Sequence, residues 1–162
     1  MNKIKLFLLL VVASMMVSCL DRAGSDFAPA IGISQILLNR TDTLSLNVDD
    51  KGVYQLDTIN VGDTVNYALV FEGYSQDIIS IVATLEGTSV SHEYIIDDAF
   101  KTVLLDESDI ENGKLYFREG YVRAVIPNYI IAKKTGFSQL SYEFNTKSKF
   151  SPATASMAIV VR

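Results

Sequence analysis

Apolar residues recur at every second position along much of this chain, in short runs broken by glycine. Val65, Tyr67, Leu69 and Phe71 alternate with Asn66, Ala68, Val70 and Glu72, and Ile79, Ile81, Ala83 and Leu85 with Ser80, Val82, Thr84 and Glu86. Leu140, Tyr142 and Phe144 alternate with Gln139, Ser141 and Glu143, and Met157, Ile159 and Val161 finish the chain. Side chains of a strand point alternately to its two faces, so these runs predict half-buried strands. Between them stand Asp49-Asp50-Lys51-Gly52, Val61-Gly62-Asp63, Glu72-Gly73, Glu86-Gly87, Asn112-Gly113, Glu119-Gly120 and Thr135-Gly136. Glycine at such places supplies the positive φ that tight turns demand. No stretch of helical length sustains a 3.6-residue repeat. The best helical segment, Asp97 to Ile110, is ambiguous, because Val103-Leu104-Leu105 suits a strand equally and Ser108 with Glu111 allows one capped turn.

About seven to nine short strands in roughly 130 residues predict an all-β domain, an antiparallel two-sheet sandwich more than a closed barrel. Neither an internal repeat nor a low-complexity linker divides it. The run Asn60-Val61-Gly62-Asp63-Thr64-Val65-Asn66-Tyr67, followed by Thr135-Gly136-Phe137 and a tyrosine-bearing strand, resembles the immunoglobulin-like modules of bacterial cell-envelope lipoproteins, particularly those of Bacteroidetes. The resemblance spans Ile31 to Arg162 by pattern. A Cys pair and a Trp, the antibody-type pin between sheets, are missing, so the resemblance implies the broader sandwich architecture.

The first residues have a different character. A basic start, Asn2-Lys3-Ile4-Lys5, precedes Leu6 to Val17, which is apolar except for Ser14. At 1.5 Å per residue this run is too short to cross a bilayer of roughly 30 Å, and it reads as the core of a cleaved signal peptide covering residues 1–18. Met16-Val17-Ser18-Cys19 resembles the lipobox of bacterial lipoproteins. That resemblance implies a diacylglyceryl group on the Cys19 thiol, cleavage before Cys19 and acylation of the new amine. Two or more acyl chains anchor stably where one binds only marginally. Residues 19–30, with Gly24 and Pro29 among small and polar neighbours, read as a tether reaching about 36 Å when extended. The expected address is the cell envelope, on the outer membrane, at its periplasmic face or at the cell surface.

Charge narrows the partners. After residue 18 there are 12 basic against 19 acidic side chains, a net charge of −7. A nucleic-acid binder needs a clustered positive field, which this chain lacks. The same balance excludes docking on an anionic membrane by charge alone. With one Cys and one His, the chain can form no internal disulfide and no Cys/His zinc cage, and no cofactor is expected.

Few residues invite chemistry. His92 shares parity with Val90, Tyr94 and Ile96, which predicts a core or edge histidine more than a catalytic one. The serines lack a nucleophile-elbow pattern, and no phosphate-cradling loop is present. Carboxylates pair at Asp49-Asp50, Asp97-Asp98 and Asp106-Glu107, positions that read as solvated turns before they read as glycosidase pairs. The run Asp106 to Gly113 invites calcium, but the EF-hand order is absent, and the plainer reading is an acidic loop leading into a strand from Lys114 to Phe117. A binding face is suggested by Tyr116, Arg118, Tyr121 and Arg123, with Tyr129, Lys133 and Lys134 beyond, because Tyr and Arg recur at contact hot spots. Strand propensity alone also favours tyrosine there.

The expected protein is therefore a non-catalytic, lipid-anchored module that binds or scaffolds an envelope protein or an extracellular polysaccharide. The alternatives are a small secreted carboxylate-dependent hydrolase and a calcium-dependent adhesion module.

Overall fold

The computed structural model describes residues 26–162, so the leader, Cys19 and the first part of the 19–30 segment lie outside the described residues. Twelve strands form: β1 (Ala30–Ile33), β2 (Ile36–Leu38), β3 (Asp42–Leu44), β4 (Leu46–Val48), β5 (Tyr54–Leu56), β6 (Thr64–Glu72), β7 (Ile78–Gly87), β8 (Val90–Tyr94), β9 (Lys114–Tyr116), β10 (Arg123–Ala132), β11 (Gly136–Thr146) and β12 (Ala153–Val161). Between β8 and β9 lies α1 (Asp98–Lys101), a single turn capped by Asp97, whose carboxylate accepts from Phe100 N–H at 2.7 Å. The capped turn thus sits at the start of the Asp97–Ile110 segment. Ser108 does not cap; its hydroxyl accepts from Tyr116 N–H at 3.0 Å. Twelve strands exceed the seven to nine expected, and the surplus is in three- and four-residue pieces.

Two sheets face each other. One runs β3-β2-β6-β10-β8, with β1 also on β6, and the other β4-β5-β12-β11-β7-β9. The order β2-β6-β10-β8 opposite β12-β11-β7 is the immunoglobulin arrangement, strands A-B-E-D against G-F-C. All ladders are antiparallel except β5 on β12. β1 and β2 share one edge of β6, Ala30 facing Glu72 and Leu38 facing Val65, so a single edge strand is interrupted at Ser34-Gln35.

Alternation places the core where the sequence put it on β6, β11 and β12: Val65, Leu69, Phe71, Leu140, Phe144, Met157 and Ile159 are buried between the sheets. On β7 it does not. Ile79 is 46% exposed while Ile78 and Ser80 are buried, because the register with β11 shifts between Asn145 and Thr146 and reverses the parity of the strand's first residues. The place that a B–F disulfide occupies in antibody domains is filled by rings: Phe71 of β6 meets Phe144 and Tyr142 of β11, at centroid distances of 5.2 and 6.5 Å.

Each end of the sandwich is built from turns. The N-terminal segment enters at the end where β6 and β11 finish and β10 begins. Packing there starts before β1: Ser148 Oγ donates to the Phe27 carbonyl at 3.1 Å, Lys149 N–H donates to the Asp26 carboxylate at 3.2 Å, and the rings of Phe27 and Tyr74 lie 5.5 Å apart. Residues 26–30 of the expected tether are therefore held against the domain. Asp77 ties the neighbouring turns together, accepting from Gly120 N–H and from Lys147 Nζ, which also reaches Glu119 at 2.8 Å. Gly73 is required here by close approach, since a Cβ would lie 2.5 Å from the Gln76 carbonyl oxygen and 3.0 Å from that of Val122.

Candidate functional site

The sandwich is not wholly apolar inside. Parity turns His92 of β8 inward, and Tyr67 of β6, Asn128 of β10 and Tyr142 of β11 converge on it. Asn128 Nδ2 donates to the Ile126 carbonyl at 2.5 Å, which aims its Oδ1 at His92 Nε2, 3.1 Å away. A carbonyl oxygen only accepts, so His92 carries its proton on Nε2. Tyr142 Oη, 3.2 Å from the same nitrogen, shares that proton and passes its own toward Tyr67 Oη at 2.6 Å. The chain of bonds crosses from one sheet to the other. Tyr94 stacks edge-on against the imidazole at 4.9 Å, and its hydroxyl is buried without a hydrogen-bond partner among the described residues.

Burial sets the electrostatics. It holds His92 below its ordinary pKa of 6.5, against the opposing pull of the Asn128 bond and the Glu93 carboxylate, so the imidazole stays neutral. The phenols of Tyr67, Tyr94 and Tyr142 are all pushed up by burial and remain protonated.

Beside this cluster and sharing His92 and Tyr94 with it, where β8 edges one sheet and the loop before β9 covers the other, lies an open cleft of about 520 Å³ lined also by Glu93, Ile110 and Glu111. A smaller hollow of about 240 Å³ adjoins it, with Ala83, Leu85 and Asn112 in its wall. Two carboxylates thus border one depression. Glu93 is already engaged: the Tyr129 hydroxyl donates to it across β8 and β10, and that bond raises the phenol's pKa.

The four residues of the expected binding face are divided. Tyr116 lies half-buried in β9, its backbone closing on Ser108, while the Arg118 Nε–H donates to the Leu104 carbonyl at 3.1 Å and its guanidinium lies 3.7 Å from Asp106. Glu119-Gly120 is neither a hairpin nor a bulge in one strand; it carries the chain from β9 in one sheet to β10 in the other. Tyr121 and Arg123 consequently fall at the end where the N-terminal segment enters, Tyr121 39% exposed and Arg123 paired with Glu72 at 3.3 Å. Lys133 and Lys134 are at the opposite end, bonded through their amides to the Ser89 carbonyl.

In the acidic loop, Asp109 is used locally. It accepts from Asn112 N–H and Nδ2, bonds that hold its carboxyl below the usual range. Among the described residues no three His, Cys, Asp or Glu side chains group as metal ligands. Asn128 was not anticipated from sequence. The signal was present, because it interrupts the inward row Ala124, Ile126, Ile130 and Ala132 of β10 and faces the same interior as His92.

No protein-family model and no curated protein matches the sequence. Solved structures resemble it weakly. A family 123 glycoside hydrolase from Clostridium perfringens aligns at 15% identity and a TM-score of 0.41, over 84% of this chain and 27% of that one. The C-terminal domain of the AgI/II polypeptide BspA from Streptococcus agalactiae aligns at 12% identity and 0.42, over 82% and 50%. BslA, a bacterial hydrophobin, aligns at 11% identity and 0.36, over 86% and 98%. The chain thus spans about a quarter of the first protein and half of the second, and likenesses this slight do not bear on what it binds.

Proposed function

We propose that this chain is a non-catalytic, lipid-anchored envelope module, moored through Cys19 and presenting its sandwich to an envelope protein or an extracellular polysaccharide. The observation that carries the reading is the state of His92. The sole imidazole of the sequence is half-enclosed and engaged through Nε2 with Asn128 and Tyr142, which supports a bridging use of His92 between the sheets over a catalytic one. The signal-like leader and the lipobox-like Met16-Val17-Ser18-Cys19 supply the anchor part of the reading. Cross-linking in intact cells at native expression, followed by recovery from detergent-solubilised envelope, tests the binding part. A reproducible partner or polymer supports it; nothing above background overturns it.

The cleft favours one second reading, a hydrolase using Glu93 and Glu111, since both line the same depression. That reading requires Glu93→Gln and Glu111→Gln each to abolish turnover of a glycoside substrate, and fails if no glycoside panel is cleaved by the wild type.

A further inference from the structure

We infer that the end of the sandwich where the N-terminal segment enters is a lipid-contacting surface, which seats its aromatic turn tips in the headgroup layer of the membrane holding Cys19. This rests on the proposed anchor and adds to it an orientation and a second point of attachment.

Five phenylalanine or tyrosine side chains are exposed among the described residues, and four of them, Phe27, Tyr74, Tyr121 and Phe150, gather at this end. They come from four separate segments: the residues before β1, the β6–β7 turn, the β9–β10 connection and the β11–β12 turn. Hydrogen bonds and ion pairs through Asp26, Asp77 and Lys147 hold these segments together. The tips therefore form one fixed set. Large apolar rings at turn tips are unfavourable in water, whereas amphipathic rings are favoured at the level of lipid headgroups.

The charges fit such a seat. The domain as a whole carries 11 basic against 18 acidic residues from position 26 onward, an excess that an anionic surface repels. At this end three cations offset three of four carboxylates: Lys149 lies beside Asp26, Arg123 beside Glu72, and Asp77 and Glu119 share Lys147. Lys149 stays 70% exposed with its ammonium 5.0 Å from the Phe150 ring centroid, a pairing that lets the stem lie along apolar surface while the charge meets phosphate.

Chain length decides the orientation. Cys19 and Asp26 are seven residues apart, a reach of at most about 25 Å. The nine residues of β6 carry the sandwich about 30 Å away from that entry point. The opposite tip, where Phe137 is exposed, therefore cannot come down upright on the bilayer that holds the anchor, and the aromatic end is the one within reach.

The absence of tryptophan makes the test clean. Full-length chain, processed in cells and purified in detergent, is reconstituted into vesicles of phosphatidylethanolamine and phosphatidylglycerol at three to one, with and without brominated acyl chains. Phe150→Trp and, at the far tip, Phe137→Trp each give a single emitter. The inference expects Phe150→Trp to emit to the blue and lose intensity with brominated lipid, and Phe137→Trp to remain unquenched. Vesicle flotation runs in parallel with Cys19→Ala. If the protein floats but neither emitter is quenched, or both are quenched alike, the surface assignment is overturned while the anchor stands. If Cys19→Ala floats no differently from the parent, the anchor reading fails and takes the inference with it.

Discussion

Tyr142→Phe removes one oxygen from the centre of the sandwich, and the structure says which bonds go with it. The hydroxyl of Tyr142 donates to Tyr67 Oη at 2.6 Å and accepts from His92 Nε2 at 3.2 Å. His92 keeps Asn128 at 3.1 Å, but Tyr67 is 4% exposed and keeps no other partner. A buried hydroxyl left unsatisfied costs about 1–3 kcal/mol. For a domain of this size that corresponds to a fall in Tm of roughly 4–12 °C. Tyr67→Phe should cost less, because Tyr142 Oη would still accept from His92. The double variant should then be more stable than Tyr142→Phe alone, since the orphaned group is gone and both rings still pack. Urea unfolding of the wild type, both single variants and the double variant, compared at equal slope, measures this directly. Additive losses, or a double variant less stable than Tyr142→Phe, would refute the coupling of the two hydroxyls and the account of Tyr67 as the group that Tyr142→Phe leaves unsatisfied.

Two further outcomes concern His92 and the β6–β7 turn. The folded pKa of His92 lies below 6.5, so the unfolded chain binds that proton more readily; its contribution to stability is intact above pH 6.5 and is lost as pH falls from there toward the folded value. The urea midpoint should decline between pH 7.5 and 5.5, and His92→Gln should flatten that decline. Gly73→Ala should destabilise by about 1–3 kcal/mol, because its Cβ meets two backbone carbonyls that cannot give way; a midpoint equal to that of the wild type would show that the β6–β7 turn is looser than described.

The long strands were legible in the sequence because each buries one face against the opposite sheet. In β6 and β11 every second residue is enclosed, so Val65 to Phe71 and Leu140 to Phe144 announce themselves. β2 to β5 have three residues each, too few for a period to register; β2 and β5 are held by ladders to β6 and β12, and β3 and β4 in turn by ladders to β2 and β5. The parity of Ile79 was lost to a bulge in β7 itself, where one step of β11 from Asn145 to Thr146 spans two of β7 from Ser80 to Ile78, and nothing in the residues Ile78-Ile79-Ser80 marks which of them is the extra one. At the site, His92 was readable as inward-facing, whereas its partners lie 36 and 50 residues away and meet it only through strand order. The aromatic end was hidden for the same reason. Phe27, Tyr74, Tyr121 and Phe150 are isolated in sequence, and the run Tyr116 to Arg123 looked like a face until a change of sheet at Glu119-Gly120 split it.

The mass of the mature N-terminal peptide, taken from membranes of cells fed labelled palmitate, tests the account at its root. The expected peptide begins at Cys19, carries acyl chains and the label, and is lost in Cys19→Ala. An unacylated chain recovered from the medium, beginning at any other residue, would contradict it.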